Sequence, residues 1–154
     1  MMHIAQMTLN LAVALALGAL MGLERELVGK EAGVRTGLTV AGGAALFSLA
    51  ALNLPYLVAT SPEQVNAIIA NNSGFLMMIG NIVVGIGFLG GGIILKTEHR
   101  ARGLTTAAVI WTTAAVGVLA GVGMIGFAII SALIISVTLF ALRKFEVPDN
   151  MERI

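Results

Sequence analysis

The sequence predicts an all-α membrane protein with five transmembrane helices, its N-terminus outside and its C-terminus cytoplasmic. Three observations carry this. Of 154 residues, 58% are hydrophobic and 11% charged, and mean hydropathy is +0.97; a soluble domain carries about 25% charged residues. Five apolar runs are each close to the ~20 residues that cross a hydrocarbon core. The nine Lys and Arg residues fall in three groups of three. These are Arg25, Lys30 and Arg35, then Lys96, Arg100 and Arg102, then Arg143, Lys144 and Arg153. The positive-inside rule places all three groups in the cytoplasm, and five spans put them on one side.

The first span covers residues 4–23. No Lys or Arg precedes it, so it lacks the basic start of a signal peptide and is expected to be retained. Asn10 is its strongly polar side chain, Gly18 and Gly22 share one helical face, and the run stops at Glu24-Arg25-Glu26. The second span, residues 37–58, has a small-residue middle at Gly42, Gly43, Ala44 and Ala45. Pro55 is expected to kink or end it. Ser61-Pro62-Glu63-Gln64 reads as a helix start, with Ser as N-cap and Pro at the first helical position. A short amphipathic helix over residues 62–70 should lie on the membrane surface, ended by Asn71-Asn72-Ser73. The third span covers 74–95, with Asn81 inside it. The fourth, 103–120, contains Trp111. Gly121-Val122-Gly123 forms a turn, and the fifth span is 124–142. The whole chain, 1–154, is expected to be one transmembrane domain.

A weak internal repeat links Arg35-Thr36-Gly37-Leu38-Thr39 with Arg102-Gly103-Leu104-Thr105-Thr106. Gly18-xxx-Gly22 and Gly87-xxx-Gly91 each end the span before. This suggests two parallel hairpins with a fifth helix appended, an arrangement known in transporters.

Residues 85–92 hold five glycines. In a soluble helix each costs about 1 kcal/mol relative to alanine. In a membrane, small residues let helix backbones approach, and broken helices can also line a pathway. Both readings are open for Gly18, Gly22, Gly85, Gly87, Gly90, Gly91, Gly92, Gly117 and Gly121, and for Asn81 and Trp111 beside them.

No acidic or basic residue lies deep in a span. Mg²⁺ is usually held through carboxylates, and proton relays use buried Asp, Glu or His. The expected polar lining is Asn10, Asn81, Thr105, Thr106, Thr112 and Thr113, which makes a self-contained pump a poor fit. Glu24, Arg25, Glu26, Arg35, Thr36, Arg102, Thr105 and Thr106 form a candidate cytoplasmic-edge cluster. It is read either as a structural ion-pair cluster or as a partner or anion site, since helix N-termini favour anions. His3 and His99 read as ordinary loop residues. Without cysteine, disulfides and thiol chemistry are excluded. No nucleotide loop, nucleophile elbow or helical metal-ligand pair occurs, so neither enzyme, metal site nor cofactor is expected. A net charge of +1 gives no reason to expect nucleic acid.

Four blocks give the chain a family resemblance. They are Gly22-Leu23-Glu24-Arg25-Glu26, Ala32-Gly33-Val34-Arg35-Thr36, Gly85-Ile86-Gly87-Phe88-Leu89-Gly90-Gly91-Gly92, and Arg102-Gly103-Leu104-Thr105-Thr106-Ala107-Ala108 with Trp111. In order and spacing the chain resembles the membrane domain of the MgtC/SapB family over residues 9–141. The resemblance implies a bacterial inner-membrane protein linked to low-Mg²⁺ growth and, in pathogens, to survival in host cells. It implies regulation of other membrane proteins, such as the F-type ATP synthase and cation-transporting ATPases, rather than Mg²⁺ transport. Many members carry a soluble domain after the last span; this sequence reads as a short member without it. Members often have a basic residue and a Gln in the third span, where this chain has Met77 and Asn81. The alternatives are a small oligomeric transporter or channel with Asn81 and Gly90 to Gly92 at its pathway, and a sensor of anionic lipid using Arg35 and Arg102.

Overall fold

The computed structural model describes residues 2–27, 29–70, 74–96 and 101–145. Six helices follow in order: α1 (Ile4–Leu27), α2 (Val34–Val58), α3 (Pro62–Ala70), α4 (Gly74–Ile93), α5 (Leu104–Gly121) and α6 (Ile125–Phe145). Between α4 and α5 the chain pairs briefly with itself, Leu95 opposite Arg102 and Lys96 opposite Ala101. Asn71-Asn72-Ser73, His99, Arg100 and Arg153 lie outside the described residues.

By length and composition four helices can cross a membrane: α1, α2, α5 and α6. Helix α4 carries a shorter apolar stretch, Met77–Ile93. Helix α1 does not stop where its apolar run stops. It continues through Glu24-Arg25-Glu26 to Leu27, because its end is set by a turn motif and not by charge. There the Lys30 N–H donates to the Arg25 carbonyl and the Gly29 N–H to the Glu26 carbonyl, both at 3.0 Å. Gly29 has φ +65°, the left-handed conformation that lets this bond pair form. Pro55 does not end α2 either. The helix runs on to Val58, and the Ala59 N–H still reaches the Pro55 carbonyl at 3.1 Å.

The start of α3 is built from its own sequence. The Gln64 N–H donates to Ser61 Oγ at 3.3 Å, and Gln64 Oε1 accepts from the Thr60 N–H at 2.9 Å. Backbone and Ser61 hydrogen bonds hold the Glu63 carboxyl below the usual carboxylate range, as expected for an acid in a first turn.

The centre is the trio α1, α2 and α5, which pack on one another. Backbones meet where side chains vanish. Gly18 faces the Gly37 carbonyl, and Gly37 faces the Gly18 carbonyl in return. A Cβ on Gly22 would lie 2.6 Å from the Gly33 carbonyl oxygen. Where α5 meets α2, a Cβ on Gly117 would sit 2.7 Å from Ala41 Cα, and one on Gly121 2.8 Å from Ala45 Cα. Ala14, Ala41, Ala45 and Ala120 are fully buried there. Helix α6 joins through Ala128 and Ala132. Helix α4 joins through Ile82, Ile86 and Ile93, against Val40, Ala44, Ile110 and Ala114.

The glycines of α4 behave differently. A Cβ added at Gly80, Gly85, Gly87, Gly91 or Gly92 would meet nothing within 4 Å, and only Gly90 approaches α5, at Ala107. The correspondence between Gly18-xxx-Gly22 and Gly87-xxx-Gly91 therefore stops at sequence. The first pair zips its hairpin; the second faces away from the chain. Gly18→Leu should lower stability by about 3 kcal/mol or prevent folding, because a rigid carbonyl occupies the added volume. Gly87→Leu should leave the melting temperature within about 2 °C, since the site is open. Thermal unfolding of both variants in detergent checks this.

Candidate functional site

The candidate edge residues lie where α1 ends and α2 and α5 begin. Arg25, in the last turn of α1, is buried, 6% exposed. Because α1 continues helically to Leu27, residue 25 turns inward against α5. Its Nη2 donates to Thr106 Oγ1 at 2.9 Å, and Thr106 is itself buried. Its Nε has no hydrogen-bond partner. The Glu24 carboxylate lies 3.9 Å from Arg25 Nη1, its Oε2 buried and unbonded. Neighbours in sequence point to different sides of a helix, so this pair is loose.

Glu26 has another role. Its Oε2 accepts from the Val34 N–H at 2.8 Å, at the first turn of α2. The N-cap residue, Gly33, contributes no side-chain bond, and Glu26 supplies from α1 the anion that this helix end favours. A Cβ on Gly33 would lie 2.6 Å from that oxygen. The anion place expected near Arg35 is thus taken by the chain's own carboxylate. Ala32 enters this corner with φ +63°, a strained conformation for a residue with a Cβ.

Arg35, Arg102 and Thr105 are exposed and Thr36 is half-buried. The structure thus joins Arg25 to Thr106 with Glu24 beside it, turns Glu26 to the start of α2, and leaves the other two arginines exposed. Gly103, before α5, has φ +85° and the Ile93 carbonyl 2.6 Å from where its Cβ would be.

Three of the other polar candidates, Asn10, Thr112 and Thr113, turn their polar groups onto helix backbone. Asn10 is buried; Gln6 Nε2 donates to its Oδ1 at 2.8 Å, and its Nδ2 donates to the Gly121 carbonyl at 3.2 Å. The Thr113 hydroxyl bonds the Val109 carbonyl at 2.7 Å and lies 3.7 Å from the Met21 sulfur. Asn10–Gly121, Met21–Thr113 and Arg25–Thr106 form a polar ladder along the antiparallel α1–α5 seam. Spacing on α1 alone could not reveal it, because its rungs alternate with apolar residues. Thr112 turns its hydroxyl onto the Ala108 and Val109 carbonyls of its own helix. Asn81 is exposed and lines a cavity of about 410 Å³ between α2 and α4, with Thr39, Phe47 and Gly85. Trp111 is half-exposed beside Ile82 and Ile86. Among the described residues, no three His, Cys, Asp or Glu side chains gather as a metal site would require.

Several apolar helices, held by backbone contact at glycine and alanine, define a multi-pass membrane protein. The sequence pattern of the MgtC family matches residues 11–147, and the chain belongs to that family. It is 40% identical over 136 residues to Protein MgtC of Salmonella typhimurium, covering 88% of this chain and 52% of that protein. It is 40% identical over 125 residues to Protein MgtC of Brucella abortus, covering 81% and 46%. It is 39% identical over 138 residues to the uncharacterized protein slr0014 of Synechocystis, covering 90% and 53%. The chain spans about half the length of these curated relatives. No solved structure matches it.

Two predictions follow from this corner. Arg25→Ala should cost about 2 kcal/mol through the lost buried bond to Thr106, while exposed Arg35→Ala stays within about 0.5 kcal/mol. Ala32→Gly should stabilise by about 1 kcal/mol, by removing the left-handed penalty. Denaturant titration in mild detergent reads all three.

Proposed function

We propose that this protein acts without catalysis in the bacterial inner membrane, in adaptation to low Mg²⁺, by binding and regulating other membrane proteins. Ion-transporting ATPases are the partner class that the family resemblance suggests. Five spans place the N-terminus outside and the Lys and Arg clusters in the cytoplasm, with α3 on the outer surface.

The observation that carries this reading is the outward face of α4. Gly18, Gly22, Gly117 and Gly121 are used up inside the bundle, whereas Gly87 and Gly91, four residues apart on one face of α4, have open space around them. A partner helix can approach its backbone closely there. The family name shared with the MgtC proteins of Salmonella and Brucella supports the link to Mg²⁺. The cavity at Asn81 favours a second reading, a small oligomeric transporter, although the walls around Asn81 and Thr39 are apolar.

Affinity purification from native membranes should recover a membrane partner with the unaltered chain and lose it with Gly87→Leu or Gly91→Leu, both folded. Recovery that is equal for all three sinks the regulator reading. Ion flux through liposomes containing only this chain, abolished by Asn81→Leu, would favour the transporter. The absence of cysteine allows single cysteines at Thr60 and Lys30 to be labelled from each side, and labelling from the same side rejects the topology.

A further inference from the structure

Independently of that reading, a groove with two unsatisfied polar atoms lies between α1 and α6. It encloses about 310 Å³ and is walled by Leu20, Leu23, Leu133 and Phe140, with Glu24 and Ser136 as its polar members. Both polar groups are buried and unsatisfied: Glu24 Oε2 and Ser136 Oγ have no hydrogen-bond partner. The hydroxyl is unusual in this chain. Ser48 and Thr112 return their hydroxyls to the carbonyl four residues back, as such residues in apolar helices commonly do. Ser136 does not. The carboxylate is no better served, since Arg25 Nη1 is 3.9 Å away and committed to Thr106 through Nη2. A buried carboxylate oxygen that accepts no hydrogen bond is costly even beside a guanidinium at 3.9 Å, and an ionisable group among spans is a candidate site by default.

We propose that the occupant is an aminophospholipid of the leaflet at the Glu24 end. Its ammonium donates to Glu24 Oε2 and Ser136 Oγ, and one acyl chain lies along the leucines and Phe140. Three observations select it. Glu24 Oε2 can only accept and Ser136 Oγ can accept, and the carboxylate has its countercharge no nearer than 3.9 Å, which favours a cationic N–H donor that reaches both. Glu24 is three residues from the end of α1, about 4.5 Å along the axis, near the depth of a lipid headgroup. Finally, the walls are exposed, Leu133 by 48% and Phe140 by 65%, and a helix about 10–12 Å across would span this hollow instead of entering it.

The test uses the full chain in phosphatidylcholine nanodiscs with a trace of phosphatidylethanolamine bearing a photoactivatable acyl chain. Crosslinks should map to residues 20–27 and 133–140. Unlabelled phosphatidylethanolamine should compete about tenfold better than phosphatidylcholine, which has no N–H, or phosphatidylglycerol, which has no cation. Glu24→Gln should cut the labelling about tenfold and Ser136→Ala about threefold, while Glu63→Gln on α3 changes nothing. Equal competition by the three lipids, labelling confined to other helices, or undiminished labelling of Glu24→Gln overturns the proposal. So does a co-purified protein that blocks the groove while phosphatidylethanolamine fails to compete. If Glu24→Gln does not fold, headgroup competition on the unaltered chain and the Ser136→Ala labelling decide the question.

Discussion

Everything in this bundle depends on α1 touching α2 backbone to backbone. Gly18 and Gly37 each face the other's carbonyl, and Gly22 faces Gly33. In lipid the solvent is as apolar as leucine, so burial of hydrocarbon gives little preference for one helix pair over another. Close approach does, because dispersion and backbone dipole contacts fall steeply with distance. Once α1 and α2 lie this close, α5 packs against both, meeting α2 at Ala41 and Ala45 and α1 along its polar seam.

That seam takes up a charged and an amide side chain of α1. The Arg25 guanidinium and the Asn10 amide are turned into the α1–α5 contact, each bonded to the facing helix. They specify which neighbour α1 accepts and in what register, the best-attested use of buried polar groups. Glu26 does the same at the corner by closing the first turn of α2. The Glu24-Arg25-Glu26 triplet thus divides three ways: into the groove beside α6, into the bundle, and onto the next helix.

Much of this could be read from the residues, and the failures have a common cause. Composition and apolar runs make the chain helical, and Ser61 and Gln64 do cap α3. What composition does not encode is rotation. A soluble helix announces its inner face by polarity, but α4 is apolar all round, so its five clustered glycines gave no sign that most point outward. The burial of Arg25 was hidden for the related reason that a charge beside the last leucine does not say which way the helix turns it; its bond is to Thr106, 81 positions away.

The glycine contact between α1 and α2 also bears on biogenesis. Both of its halves lie within the first 58 residues, so the hairpin can close while the remainder is still being synthesised. Helices arriving later meet a finished template. Translation order and packing order then coincide, and α4, which meets α5 at Gly90 and Ala107, is added to a pair already formed.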